Sequence, residues 1–170
     1  MIDTNQKIKK IDELSFIIEK LRLEGKKIVL SHGAYDLLHT GHIHHLQEGK
    51  KLGDILVVSI TPDKFIKKGK DRPRFNQIER ANFISALECA DFVCVNNSLD
   101  AADVIHALRP DIYIKGEDVK DKLKDIKQNL YKEVKLLEKY NGQVRFIKSL
   151  PIHSTDLLNK FFKSRKTTVL

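Results

Sequence analysis

Tryptophan is absent from this 170-residue chain, methionine occurs once and cysteine twice. No apolar run approaches the ~20 residues that a membrane-spanning helix needs, so no membrane partner is expected. Cys89 and Cys94 sit in apolar settings, and a C-x4-C pair without further partners makes neither a zinc site nor a disulfide framework. They read as reduced core residues of a cytoplasmic protein. The opening residues, MIDTNQKIKK, lack the apolar stretch of a signal peptide. G-x-x-x-x-G-K-[ST] and G-x-G-x-x-G are both missing, which argues against P-loop and dinucleotide-binding folds. Neither an internal repeat nor a low-complexity segment is found. Acidic excess is lacking too: 31 Lys and Arg face 23 Asp and Glu, for a net charge of +8. Such a surface suits nucleic acid, anionic lipid or a polyphosphate ligand, and charge alone does not choose among them.

What is there is an ordinary charge-rich composition, 41% hydrophobic and 32% charged, of a length that makes one domain with a real core. The informative stretch runs from Lys27 to Leu46. Lys27 to Leu30 is a short apolar run with two β-branched residues, read as a buried strand that ends in a turn at Ser31-His32-Gly33. The period then changes, and Leu37, Leu38, Ile43 and Leu46 fit a loop leading into a helix that starts near Thr40 or Gly41. Strand, Gly-containing loop and helix N-terminus form a natural phosphate site, because free N–H groups and the positive end of the helix dipole converge there. His39 and His42, three apart across the first helical turn, are expected to share a face and donate to phosphate oxygens as charge develops. Gly41 leaves room for a phosphate on the backbone. Two blander readings compete: a capping or solvated histidine, and a metal cluster of the four histidines between His39 and His45. His44 and His45 read as surface residues.

The segment Gly33-Ala34-Tyr35-Asp36-Leu37-Leu38-His39-Thr40-Gly41-His42 resembles the G-x-F-D-x-x-H-x-G-H signature of the cytidylyltransferase-like nucleotidyltransferases of the HIGH superfamily, with Tyr35 in the Phe position. The resemblance covers roughly residues 27–160. It implies a Rossmann-like three-layer α/β sandwich with a five-stranded parallel sheet, a homodimer, and a nucleotide site involving Gly33, Ala34, Tyr35, Asp36 and Gly41.

Elsewhere the pattern agrees with an α/β fold. Ile8, Ile11, Leu14, Ile17, Ile18 and Leu21 predict an amphipathic helix over about 5–24, packed on the sheet edge or on a partner subunit. Ile55 to Ile60 is a second buried strand, and with the helix before it forms a right-handed βαβ unit. From Lys64 to Arg74 six basic residues face the single acid Asp71, either as a solvated face or as a loop that closes over a triphosphate. Lys68-Gly69-Lys70-Asp71-Arg72-Pro73 is similar to a stretch of the heptose-1-phosphate adenylyltransferases, which points to Lys68 and Lys70 as phosphate contacts. Asn76 and Glu79 predict a capping box for a helix whose core face is Ile78, Phe83, Ile84 and Leu87. Arg80 reads either as a surface ion pair with Glu79 or Asp91 or, from the family, as a residue near the triphosphate. Phe92 to Val95 is the third strand, Asp100 caps a helix through Leu108, and Asp111 to Lys115 is the fourth strand. Lys115-Gly116-x-Asp118 resembles the family's Lys-Gly-x-Asp, which lies against the nucleotide. Residues 120–140 read as one helix with Ile126, Leu130, Val134 and Leu137 inward, stopped by Asn141-Gly142, and Val144 to Ile147 as the fifth strand. Ser154 and Thr155 are N-cap candidates, and in the family a Ser-Thr-Thr triplet here holds the triphosphate; Asp156 replaces its last Thr.

These expectations combine into segments 1–26 (helical extension), 27–162 (nucleotidyltransferase domain) and 163–170 (basic tail). The expected reaction joins a nucleoside triphosphate, with Mg2+ bound through its phosphates, to a phosphorylated small-molecule acceptor. A heptose-1-phosphate type adenylyltransferase for surface polysaccharide is the leading form, and a CTP-dependent cytidylyltransferase the alternative. A non-catalytic nucleotide- or polyanion-binding module is the reading of another class; nucleic acid is not an expected partner.

Overall fold

The computed structural model describes residues 6–67, 69, 71–148 and 150. Five strands, β1 (Ile28–Gly33), β2 (Ile55–Ile60), β3 (Phe92–Val95), β4 (Ile112–Gly116) and β5 (Gln143–Ile147), form one parallel sheet in the order β3-β2-β1-β4-β5. Helices α1 (Ile11–Leu23), α2 (Thr40–Lys50), α3 (Gln77–Ser85), α4 (Ala102–Leu108) and α5 (Asn129–Glu138) connect and cover it. Buried on both faces, the inner strands read as near-continuous apolar runs, whereas the edge strand β5 alternates exposed and partly buried residues. One face packs Val29, Leu56, Val58, Ile112 and Ile114 against Leu46 of α2 and Ala81 and Ile84 of α3. The other packs Ile28, Leu30, Val57 and Tyr113 against α1, α4 and α5. This is the expected Rossmann-like three-layer sandwich.

Aspartates fix where the strands start. Asp54 and Asp111, each one residue before its own strand, accept hydrogen bonds from Lys27 N and Ile28 N at the start of β1, and Asp91 accepts from Leu56 N. At the other end β1 runs further than the apolar run predicts. Ser31, His32 and Gly33 are strand rather than turn, because β2 pairs with them in register out to Gly33 and Ile60.

Helix α1 packs on the sheet edge as expected, against β3: Ile11, Leu14 and Ile18 enter the core beside α4, and Ile8 just before it bridges Val93 and covers the edge of β3. Three other helices depart from expectation. In α3 the capping box forms as expected, yet the buried stripe is Arg80, Ala81, Ile84 and Ser85, and Ile78 is left 65% exposed. The expected helix over 120–140 is two pieces, a 3-10 helix from Glu117 to Lys124 and then α5. The Asp125 carboxylate accepts from Lys127 N and Gln128 Nε2 and turns the chain between them, so Ile126 faces solvent. Asp100 also shifts by one position: Ala101 is the N-cap of α4, and the Asp100 carboxylate accepts from Ala102 N.

The burial of α1 has a direct test. Leu14→Ala removes a fully buried side chain and is expected to destabilise the chain by about 2–5 kcal/mol, read from urea unfolding.

Candidate active site

Strand order reverses direction at β1. The chain leaves β1 through α2 toward β2 and β3, then returns through α4 to β4 on the other side of β1. Ligands of open α/β sheets bind at the carboxyl ends of the two strands flanking such a reversal. Ser31 pairs with Ile114, and two residues beyond this both strands end in glycine, Gly33 and Gly116.

Helix α2 starts directly above that crevice. His39 is its N-cap, with Nδ1 accepting from Gly41 N at 3.1 Å. The capping role thus does not compete with a donor role. A neutral ring whose Nδ1 accepts carries its proton on Nε2, so Nε2 is its donor atom. The rings of His39 and His42 stack with centroids 3.8 Å apart, and Tyr35 meets His42 edge-on at 5.4 Å. The two histidines therefore do share a face.

Beneath them lies a loop in a conformation that the sequence does not announce. Tyr35 (φ 50°) and Leu37 (φ 56°) are both left-handed without being glycine, a cost of order 1–3 kcal/mol each. The surroundings hold the loop there. The Tyr35 ring lies over Gly33, where an added Cβ would sit 3.2 Å from it, and its hydroxyl is 2.7 Å from Ser31 Oγ. Burial pushes the Tyr35 hydroxyl pKa up. Asp36 is buried and accepts from Arg74 N at 2.9 Å and Phe75 N at 3.4 Å, and it pairs with the buried Arg72. Arg80 is 0% exposed. Its guanidinium donates to Ala34 O, to Thr61 O at 2.8 Å, to Phe75 O at 3.0 Å and to Asp63 Oδ1 at 2.7 Å. The surface pairing expected with Glu79 or Asp91 is overturned: Glu79 closes the capping box and Asp91 binds Lys50. Arg80 and Asp36 hold the loop that carries the site.

On the β4 side, Lys115 turns inward. Its Nζ lies 3.5 Å from His32 O and 3.7 Å from Glu133 Oε2 of α5. Burial pulls the ammonium pKa below its usual range, with Glu133 opposing. Burial raises Glu133, but Lys115, the Ala101 amide and the Tyr113 hydroxyl outweigh it and hold the carboxyl low. Asp118 is exposed in the 3-10 helix after Gly116. Lys68, Lys70, Ser154 and Thr155 lie outside the described residues.

Two histidines were not foreseen in their roles. His45 is no surface residue: Nε2 lies 3.1 Å from Ser31 Oγ, and burial, aided by Lys115, lowers its pKa to about 4. His32 sits opposite Ser59 in the sheet, with Nδ1 3.0 Å from Ser59 Oγ and Nε2 3.3 Å from Thr61 Oγ1. Burial first, then the Lys115 charge, lowers its pKa to about 4. The available signal was polar residues continuing two apolar runs, Ser31-His32 after one and Ser59 and Thr61 in and after the next.

A cytidylyltransferase-like family model matches residues 30–160. The chain belongs to the cytidylyltransferase-like family. The nucleotidyltransferase reading of Gly33 to His42 agrees with this membership. Among curated relatives, "Bifunctional protein HldE" of a Nitratiruptor species is 37% identical over 142 residues, 82% of this chain and 30% of that protein. The protein of the same name from Geobacter sulfurreducens is 34% identical over 161 residues, 93% of this chain and 31% of that protein. The chain thus spans about a third of the length of these relatives. A solved lipopolysaccharide core biosynthesis protein from Thermoplasma volcanium GSS1 matches at TM-score 0.59 and 29% identity, covering 76% of this chain and all of that one. Pantoate-beta-alanine ligase from Francisella tularensis, at TM-score 0.55 and 17% identity over 96% of this chain and 81% of that one, shares the fold.

The supports of the site are open to two tests. Arg80→Met leaves three carbonyls and Asp63 without their donor, and is expected to destabilise the chain by about 3–5 kcal/mol in urea unfolding. His32 titrates near 4 when folded and near 6.5 when unfolded, so between those values the unfolded chain binds the extra proton. Stability is expected to fall as pH drops from about 6.5 toward 4, and His32→Gln is expected to reduce that slope of the urea-midpoint profile by about half, His45 supplying the rest.

Proposed function

We propose that this chain transfers a nucleotidyl group from a nucleoside triphosphate to the phosphate of a phosphorylated sugar, as a heptose-1-phosphate type adenylyltransferase in surface polysaccharide synthesis. The observation that carries the reading is the stacked His39 and His42 pair at the start of α2, above the crevice between β1 and β4. The HldE relatives and the lipopolysaccharide core biosynthesis neighbour support the sugar acceptor and surface polysaccharide.

In this mechanism a phosphate oxygen of the acceptor attacks the α-phosphorus. A new P–O bond forms, the bond to the bridging oxygen breaks, and pyrophosphate leaves with that electron pair. No protein nucleophile takes part. His39, through Nε2–H, and His42 donate to phosphate oxygens whose charge grows in the transition state. Lys68 and Lys70 contact the polyphosphate by the Lys-Gly-x-Asp-Arg-Pro resemblance, and Ser154 and Thr155 by the resemblance to the Ser-Thr-Thr triplet. Lys115, Gly116 and Asp118 border the nucleotide from β4, and Gly33, Ala34, Tyr35, Asp36 and Gly41 from β1 and α2. Arg80 acts from beneath, by holding Ala34. Rigid positioning is the main contribution of the loop. Mg2+ supplies charge neutralisation of the triphosphate when bound. Among the described residues no three metal-ligating side chains converge. In this reading the cation would be held through the phosphate oxygens of the nucleotide. Residues 27–162 form the catalytic unit, with α1 sharing its core, and the protein is a cytoplasmic homodimer.

The test is pyrophosphate release with ATP, CTP, GTP and UTP against heptose 1-phosphate, glycerol 3-phosphate, phosphocholine and phosphoethanolamine. ATP with a sugar 1-phosphate is the expected pair, and CTP with an alcohol phosphate would replace it. His42→Ala is expected to slow turnover about 100- to 1000-fold with an unchanged unfolding midpoint. Full activity in that variant would sink the mechanism.

A further inference from the structure

Among the described residues the buried acids are Asp36 and Glu133. Asp36 is matched by Arg72 and by backbone amides beneath the histidine pair. Glu133 stands apart from the groups assigned to the phosphates, yet it reaches from the middle of α5 to the other wall of the crevice. Its side chain is 4% exposed. An ionised carboxylate in such a place is costly unless it is paired and hydrogen-bonded.

Three groups meet it. Oε1 accepts from Ala101 N at 2.8 Å, at the N-cap of α4, and Oε2 accepts from the Tyr113 hydroxyl at 2.9 Å. Those two bonds fix the carboxylate from two sides. The third group is the Lys115 ammonium, 3.7 Å from Oε2. Tyr113 and Lys115 are two apart on β4, so both side chains leave the same face of the sheet, the face that α5 covers.

The contact to Lys115 differs in kind from the other two. At 3.7 Å from Glu133 and 3.5 Å from His32 O, Nζ lies beyond the range of roughly 2.7–3.2 Å in which N–H···O bonds are strong. Charge attraction falls off only with the inverse of distance and persists where a hydrogen bond has lapsed. Glu133 therefore balances the ammonium while its three donors stay available to a nearer acceptor. The Lys115 side chain is 18% exposed, so an anion at the strand ends can reach it. Around the ammonium stand Glu133 of α5, His32 of β1, His45 of α2, the Tyr113 ring of β4, and the exposed Asp118 and Lys122 of the 3-10 helix. Burial opposes the charged form of Lys115, and Glu133 is the largest influence restoring it.

We infer that Glu133 is a positioning residue for nucleotide binding: a fixed carboxylate of α5 keeps Lys115 charged beside the crevice between β1 and β4 without occupying its donors. This rests on the reading of Lys115 as a nucleotide contact for its role, and on the cluster alone for the charge. The effect passes through Lys115, since both oxygens of Glu133 are already taken.

The experiment uses the whole chain with carbon-13 at the lysine Cε, Lys115 being assigned by its loss in Lys115→Arg, and follows that signal against pH. Glu133→Gln keeps the shape and the acceptor for Ala101 N and removes the charge. Lys115 is expected to titrate about 1–3 units lower in that variant than in the unaltered chain. Glu133→Asp withdraws the charge by one methylene and is expected to give a smaller fall of the same sign, which keeps the test open should the Gln variant not fold. The second readout is calorimetry with ATP and Mg2+ at pH 7.5 and 9. Glu133→Gln is expected to lose about tenfold more affinity over that interval than the unaltered chain, and adding Lys115→Arg, whose guanidinium stays charged, is expected to abolish the extra loss. An equal loss at both pH values marks a merely structural role and overturns the inference, as does an unchanged Lys115 midpoint. Lys115→Met that binds ATP normally removes Lys115, and Glu133 with it, from the nucleotide site. A weakened Lys115→Met beside an unchanged midpoint leaves the nucleotide contact standing and removes Glu133 from it. Binding that follows expectation without pyrophosphate release keeps the inference and removes the proposed transfer.

Discussion

A single guanidinium ties the loop after β1 to the connection between β2 and α3. Arg80 enters from α3, fully buried, and takes the carbonyls of Ala34, Thr61 and Phe75 together with the carboxylate of Asp63. The loop after β1 needs such a tie, since Tyr35 and Leu37 are in left-handed backbone that their side chains disfavour. Asp36 adds the opposite charge from within the same loop, gripping Arg72 and the amides of Arg74 and Phe75. Two buried charges of opposite sign, each met by several hydrogen bonds, hold a strained loop under the histidine pair. Burying charge this way is weak evidence for stability, but it fixes one geometry. In the proposed transfer the same pieces would supply rigid positioning of the phosphates.

The layer order, all five strands and the histidine pair were legible from residue patterns and the resemblance, because apolar runs of four to six between turn signals leave little choice in a parallel sheet. What was not legible depended on partners far along the chain. Ser31 to Gly33 read as a turn by composition, and only pairing with β2 keeps them in the strand. Of the two readings of Arg80, the surface ion pair fails because its burial depends on carbonyls 5 to 46 residues away, which the local pattern does not show. Ile78 and Phe83 shared a plausible stripe, but Arg80 and Ala81 take the inward side. The break before α5 was written locally in Asp125 and passed over, since Ile126, Leu130, Val134 and Leu137 kept the helical period across it.

Polar residues at strand ends form two separate groups. On the α2 side, His45, Ser31 and Tyr35 link in a row beneath the histidine pair. On the α5 side, Tyr113, Glu133, Lys115 and His32 join β4 to β1. Neutral histidines in both groups keep added positive charge away from Lys115, the one buried cation between β1 and β4 among the described residues.

The route of α1 has a consequence during synthesis. Leu14 and Ile18 rest beside α4, and residues 7–9 pair with Val93, so the partners of this helix are encoded about 80 residues later. At common elongation rates roughly 5–20 s pass before α4 follows it out of the ribosome. Through that interval the apolar stripe of α1 stays uncovered, and a chaperone on the emerging chain meets that stripe before the sheet exists to take it.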